Sequence, residues 1–269
     1  MALKLHGRRV LLTGASGTFG RALTERLLAE GAQVVGLDLV PAITSPAPII
    51  QCDLSSDAAV PAAVDSALDL LGGLDLLINN AGVGGPAPAE LPPGDEVRRQ
   101  LEVNLLAAWR TTAAALPALE STRGRIVFVA SRMAVLPLPL AAAYGVSKRA
   151  LAAYADALRL EVGTHVGVSV VYPSMVASPI HDATATAGLS LEGVSRSEPV
   201  EGVVTAILRA ATAKRAPRDV PTTFRGRMEM SIARHFPSLA AAMVTRTVRS
   251  RLPDLVDAPL AEGMRRRAS

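Results

Sequence analysis

Short runs of aliphatic and β-branched residues alternate along the chain with longer stretches whose apolar positions recur every three or four residues. The runs fall at 10–12, 33–37, 49–52, 74–78, 125–129 and 166–171. Most are apolar at consecutive positions, the pattern of parallel strands covered on both faces. The stretches between them, 18–29, 57–71, 95–119 and 141–162, are predicted as helices. Strand and helix in alternation predict an α/β fold, a doubly wound parallel sheet with right-handed crossovers. Such sheets bind ligands at the carboxyl ends of their strands, so the chemistry is sought just after each run.

Residues 82–94, rich in Pro and Gly, form a loop, and a last strand is expected near Asp219, Val220 and Pro221. Residues 173–197 carry no strand or core-helix pattern, and a stretch of that length in a compact domain is expected to serve as a lid, placed at about 174–198. We therefore expect one domain over 1–222, with 223–269 as its basic helical C-terminal extension.

A length of 269 residues suits one large α/β domain, and 49% hydrophobic content excludes a disordered chain. Aromatics at 3% argue against a surface that stacks on nucleic-acid bases. The net charge of +4 is unevenly placed. Residues 214–269 hold 12 Lys/Arg against 5 Asp/Glu, a net of +7, which leaves −3 for residues 1–213. Nucleic acid is thus not an expected partner. In the extension, Ile232, Phe236, Leu239, Met243 and Val248 recur at near-helical spacing among Arg234, Arg246, Arg249 and Arg251. Packing on the substrate mouth or on another subunit is the preferred reading, with peripheral contact to a membrane or a solvated end as alternatives. One cysteine, Cys52, leaves no intrachain disulfide, and four scattered histidines give no metal-ligand spacing. Neither a signal peptide nor a membrane span is read from the chain. The expected location is cytoplasmic.

The first run is followed directly by Thr13-Gly14-Ala15-Ser16-Gly17-Thr18-Phe19-Gly20, and a helix opens there. Glycines let backbone approach a pyrophosphate closely, and the helix start offers unpaired N–H groups and the positive end of its dipole. Asp38 stands 18 residues past Gly20, at the end of the second run, where a carboxylate can accept hydrogen bonds from a ribose diol. The same carboxylate repels a 2′-phosphate, and no Lys or Arg lies within 36–40, so NAD is favoured over NADP.

Tyr144 and Lys148 are four apart on a predicted helix and share a face. A phenol ionises near pH ~10, and a neighbouring ammonium favours phenolate, which suits a Tyr acid/base. Ser131 ends an apolar strand thirteen residues before Tyr144, where its hydroxyl can bond a carbonyl or alcohol oxygen. Asn79-Asn80-Ala81-Gly82 ends the fourth run, and Asn104 is a polar residue on an apolar helical face. Around these residues, Met133, Val135, Leu136 and Leu138 and the 82–88 loop are largely apolar, with Arg132 the exception. That composition points to a hydrophobic alcohol or ketone.

This set, in this order and spacing over roughly residues 5–220, resembles the short-chain dehydrogenase/reductase family in its compact NAD-dependent form. The resemblance implies a Rossmann-type fold and a tetrad of Asn104, Ser131, Tyr144 and Lys148. Tyr144 would exchange the hydroxyl proton while hydride moves between the carbinol carbon and nicotinamide. Ser131 would orient the oxygen, Lys148 would lower the Tyr144 pKa and hold the ribose, and Asn104 would support a relay water. It further implies cofactor contacts at Gly14, Ser16, Gly17, Thr18, Phe19 and Gly20, at Asp53 and Leu54 beside the adenine, and at Asn80, Ala81 and Gly82. Pro173, Val176 and Ser178 are implied near the carboxamide, and a homo-oligomer, dimer or tetramer, is implied as well. Two departures stand out. Ser174 and Ser178 replace the family's Gly and Thr. Gly17 lies one position early, a spacing typical of the extended branch. That spacing keeps a nucleotide-sugar epimerase or dehydratase as the alternative, beside a catalytically idle NAD-sensing protein.

Overall fold

The apolar runs pair side by side into one seven-stranded parallel sheet in the computed structural model, which describes residues 4–176 and 197–251. The strands are β1 (Arg9–Thr13), β2 (Gln33–Asp38), β3 (Ile49–Gln51), β4 (Leu76–Asn79), β5 (Arg125–Val129), β6 (Gly167–Tyr172) and β7 (Asp219–Pro221). Their order is β3-β2-β1-β4-β5-β6-β7. Val10 lies opposite Val34 on one side and Leu76 on the other. The chain therefore winds outward from β1 in one direction, then returns and winds outward from β4 in the other. The reversal leaves a crevice beyond the carboxyl ends of β1 and β4.

Helices α1 (Thr18–Ala29), α2 (Ala59–Leu71), α3 (Asp95–Leu101), α4 (Ala107–Thr122), α5 (Ala142–Val162) and α6 (Val200–Thr212) cover the sheet. Because strand side chains alternate in direction, neighbours in one strand enter different cores. Leu11 joins Leu37, Leu77 and Phe128 beneath α2, α4 and α5, while Leu12 joins Ile78, Val127 and Ile207 beneath α1 and α6. All of these are buried. Emptying one such site costs about 3–5 kcal/mol for a Phe→Ala change.

The apolar pattern over 95–119 predicts one helix, but the structure breaks it. A π-helical turn, Glu102–Leu106, separates α3 from α4, and the Ala107 N–H bonds the Glu102 carbonyl five residues back. The extra residue in the turn accompanies a buried Asn104 whose amide is bonded outside the helix. Such turns often mark functional sites.

Past the sheet come α7 (Phe224–His235) and α8 (Pro237–Arg251). Thr223 caps α7, its hydroxyl accepting from the Gly226 N–H at 2.9 Å. Met230 and Ala240 are buried and anchor the pair. Most of the predicted lid, with Ser178, lies outside the described residues, as does the end of the chain from 252.

Candidate active site

The turn after β1 is shaped by close contacts. Gly14 has φ +66°, and a Cβ there would lie 2.8 Å from Ala81 Cα. A Cβ on Gly20 would come within 2.1 Å of the Gly14 carbonyl oxygen. Gly17 is different: its φ is −73°, and a Cβ would meet nothing nearer than 3.4 Å. The early glycine thus serves as the N-cap of α1 and is not demanded by the protein's own packing.

Thr13 fixes this turn to the strand across the crevice. Its hydroxyl accepts from the backbone N–H groups of Asn80 and Ala81, both at 3.0 Å. The Asn80 amide in return donates to the carbonyls of Thr13 (3.0 Å) and Gly14 (3.1 Å). Asn79 turns the other way, its amide donating to the Thr112 hydroxyl at 2.9 Å.

Asp38 ends β2 with both carboxylate oxygens engaged. One accepts from the Ser16 N–H at 2.8 Å, the other from the Val40 N–H at 3.2 Å. Ser16 in turn accepts from the Ala42 N–H through its hydroxyl. Asp53 is held by Ser55, whose hydroxyl and N–H both donate to it and keep its carboxyl below the usual range.

Ser131 follows β5 in extended conformation and caps a single 3-10 turn, accepting from the Met133 N–H at 3.2 Å. Its hydroxyl acts on the neighbouring Tyr144, favouring the ionised phenol. Lys148 is buried one turn along α5, with Nζ 5.8 Å from the Tyr144 ring centroid and donating to the Val129 carbonyl at 3.0 Å. Burial disfavours the charged form of each. It pushes the Tyr144 phenol up to about 12, against the opposing pull of Ser131, and the Lys148 ammonium down to about 8. In the protein alone Tyr144 is therefore a phenol at neutral pH, and Lys148 is still largely charged.

Asn104 lies behind this wall rather than in it. Its oxygen accepts from the Val83 N–H at 2.8 Å, and its amide donates to the Val83 carbonyl at 2.9 Å and to the Ser147 hydroxyl at 3.0 Å. Ser147 passes the contact on by donating to the Tyr144 carbonyl at 2.9 Å. Sequence reasoning missed Ser147. Its signal was a polar residue between Tyr144 and Lys148 on an otherwise apolar helix face.

A cleft of about 1110 Å³ runs along these residues. It extends from the carboxyl ends of β2 and β3, past β1 and β4, to those of β5 and β6. Gly14, Ser16, Gly17, Thr18, Phe19, Asp38, Asp53, Leu54, Asn80, Ala81, Gly82, Ser131, Tyr144, Lys148, Pro173 and Val176 all line it. Gly20 and Asn104 support it from behind. Arg132 also lines it, beside the substrate end where the sequence puts it, and so do Arg21 and Arg99, which the sequence reading did not place there. The walls fit an extended dinucleotide. A Cβ at Gly82 would fill the space 3.0 Å from Lys148 Nζ, and Asn80 Oδ1 is buried with no partner among the described residues.

The sequence and the fold both have close counterparts. A family model described as short chain dehydrogenase matches residues 8–187. A ketoacyl reductase of a Nostoc species is 34% identical over 225 residues, covering 77% of each chain. A fatty acyl-CoA reductase of Mycobacterium tuberculosis is 33% identical over 80% of this chain and 78% of its own. A 3-ketodihydrosphingosine reductase of Bacteroides thetaiotaomicron is 32% identical, over 61% of this chain and 62% of its own. Among solved structures, a 3-ketoacyl-(acyl-carrier-protein) reductase from Brucella melitensis, complexed with NADH, superposes with a TM-score of 0.71 at 26% identity, covering 81% of this chain and 98% of its own. A short chain dehydrogenase from Burkholderia cenocepacia in complex with NADP gives 0.77 over 90% of this chain and 99% of its own, at 24% identity, a likeness of fold. A glycine turn after the first strand, a clasped switch point, a parallel sheet and a family match over most of the chain lead to one assignment: this protein is an oxidoreductase of the short-chain dehydrogenase/reductase family.

Proposed function

We propose that the protein interconverts a hydrophobic secondary alcohol and its ketone with NAD as cofactor. The observation that carries this reading is the convergence of Ser131, Tyr144 and Lys148 on one wall of a cleft whose far end holds Asp38. A bound nicotinamide supplies or accepts the hydride. The chain's own residues manage the oxygen and its proton. Ser131 holds the substrate oxygen through its hydroxyl, and Tyr144 stands beside it to give or take the proton. With its phenol raised to about 12, Tyr144 is set up as the acid for ketone reduction. In oxidation the Lys148 charge offsets the cost of the phenolate. Asn104 and Ser147 act as positioning residues, tying Val83 and the Tyr144 backbone together.

Asp38 supports NAD because its carboxylate, fixed by Ser16 and Val40, faces a ribose diol better than a phosphate. Met133, Leu138 and Met175 give the Tyr144 end an apolar lining. Relatives named for ketoacyl, fatty acyl-CoA and ketodihydrosphingosine substrates agree with a ligand that carries an apolar chain. We place the enzyme in the cytoplasm, where the buried thiol of Cys52 stays reduced. Assembly as a dimer or tetramer is supported by exposed Trp109 on α4 and Val146 and Leu160 on α5. The test is a panel of hydrophobic ketones and secondary alcohols, 3-ketoacyl thioesters included, with NAD(H) and NADP(H). Turnover with NAD(H) that Tyr144→Phe abolishes without loss of NAD binding is the expected result. Full turnover in that variant, or product formation without net change in NADH, refutes the reading.

A further inference from the structure

The C-terminal helices present an outer surface that the cleft chemistry does not use. Phe224 (76% exposed), Phe236 (63%), Leu239 (53%), Met228 (51%) and Met243 (47%) stand out to solvent there. They lie on α7, on α8 and at the joint between the two. The charge around them is one-sided. Residues 224–251 contain six arginines and a single acid, Glu229. That acid is turned inward, paired with Arg132 and Arg225. Arg227 and Arg246 are exposed among the apolar side chains.

We propose that α7 and α8 form a docking surface for an anionic lipid bilayer, set beside the mouth of the cleft. Exposed apolar side chains interleaved with arginines suit the boundary where acyl chains meet phosphate headgroups. A second copy of the chain is the poorer occupant, because it would bring two surfaces of the same positive sign together. None of the helices among the described residues is long and apolar enough to cross a membrane, so the attachment is peripheral. The Arg132–Glu229 pair adds a consequence for location. Arg132 lines the cleft directly after Ser131, so the residue that secures α7 also borders the substrate end. An apolar substrate would then pass from lipid to cleft with little exposure to water. The attachment does not depend on the hydride-transfer reading, and its test does not use it.

The full-length protein is sedimented with vesicles of phosphatidylcholine alone, or of phosphatidylcholine mixed with phosphatidylglycerol, at low and high salt. Binding to the mixed vesicles at low salt, and its loss at high salt or on neutral vesicles, is expected. Arg227→Gln with Arg246→Gln weakens the partition by roughly tenfold or more. Phe224→Ser with Leu239→Ser weakens it by a similar factor. Both pairs are surface changes outside the cleft, so unchanged circular dichroism keeps the comparison clean. Absence of wild-type binding overturns the proposal. So does binding that survives either pair, since charge alone or another segment would then be responsible. A change in oligomer mass on Phe224→Ser with Leu239→Ser, without vesicle binding by the wild type, assigns the surface to a second copy and overturns it as well.

Discussion

Arg132, the residue after Ser131, forms an ion pair with Glu229 of α7, and both side chains are largely enclosed, at 17% and 15% exposure. The pair joins the C-terminal helices to the substrate end of the cleft. Glu229→Gln takes the charge from this largely enclosed contact and weakens the hold of Arg132 on α7, at a cost of roughly 1–3 kcal/mol. We expect a lower Tm and a KM for an apolar ketone that rises more than kcat falls. Thermal unfolding and steady-state kinetics measure both, and an unchanged KM would detach α7 from the substrate site.

The three glycines of the turn after β1 are unequal. Gly20→Ala forces a Cβ to within 2.1 Å of a carbonyl oxygen, whereas Gly17→Ala meets nothing closer than 3.4 Å. Gly20→Ala should lose several kcal/mol of stability or fail to accumulate as folded protein, in the range of about 2–4 kcal/mol for forced overpacking of backbone. Gly17→Ala should keep its Tm within a few degrees. Equal behaviour of the two variants in thermal denaturation would contradict the geometry.

Lys148 is an expensive residue for the fold. Its charge is buried and its pKa falls to about 8, while the unfolded chain holds that proton up to about 10.5. Below about 8 both states are charged and the folded state carries the full burial penalty. Between about 8 and 10.5 the unfolded state binds the extra proton, so the penalty fades as pH rises. Lys148→Met should therefore raise stability at pH ~7 by roughly 1–3 kcal/mol, an advantage that shrinks towards pH ~10, while turnover is lost. Chemical denaturation across that range is the measurement. A gain independent of pH would mean that packing, not charge, is responsible.

The same value bears on catalysis. If the Lys148 charge supports Tyr144, ketone reduction should hold steady below pH about 8 and decline above it as the ammonium is lost. Tyr144 itself, at about 12, keeps its proton throughout. A reductive kcat/KM profile flat through this range would remove Lys148 charge from the mechanism.

Asp38 offers the cofactor test. Asp38→Ser removes the carboxylate that the Ser16 and Val40 N–H groups hold in place. The ratio of kcat/KM for NAD over NADP should drop at least about tenfold, as expected for loss of a contact worth ~1.4 kcal/mol. A ratio that does not move would shift attention to Arg21, which lines the same cleft.

Much of this was legible in the sequence because it rests on local rules. Both-face burial wrote the strands as apolar runs, and Tyr144 and Lys148 follow helical spacing. What escaped was set by contacts between distant segments. The 95–119 pattern keeps one helical period through the polar Asn104, so nothing in that period marks the wide turn there. That turn coincides with the reach of the Asn104 amide to Val83, twenty-one residues away in sequence. The tolerance at Gly17 and the burden at Gly20 look identical as letters, and it is the close approach of the Gly14 and Ala15 carbonyls to Gly20 that separates them. Arg132 read as an exception in an apolar segment because its partner, Glu229, lies 97 residues on.

The mutual bonds of Thr13 and Asn80 carry a final consequence. They lock the two halves of the sheet together at the place where the winding reverses, and they do so with protein atoms alone. The floor of the crevice is therefore rigid before any ligand arrives, and its ordering entropy is met during folding rather than at binding. Association with a dinucleotide should accordingly leave hydrogen-exchange protection at this clasp unchanged, with new protection confined to the rims of the cleft.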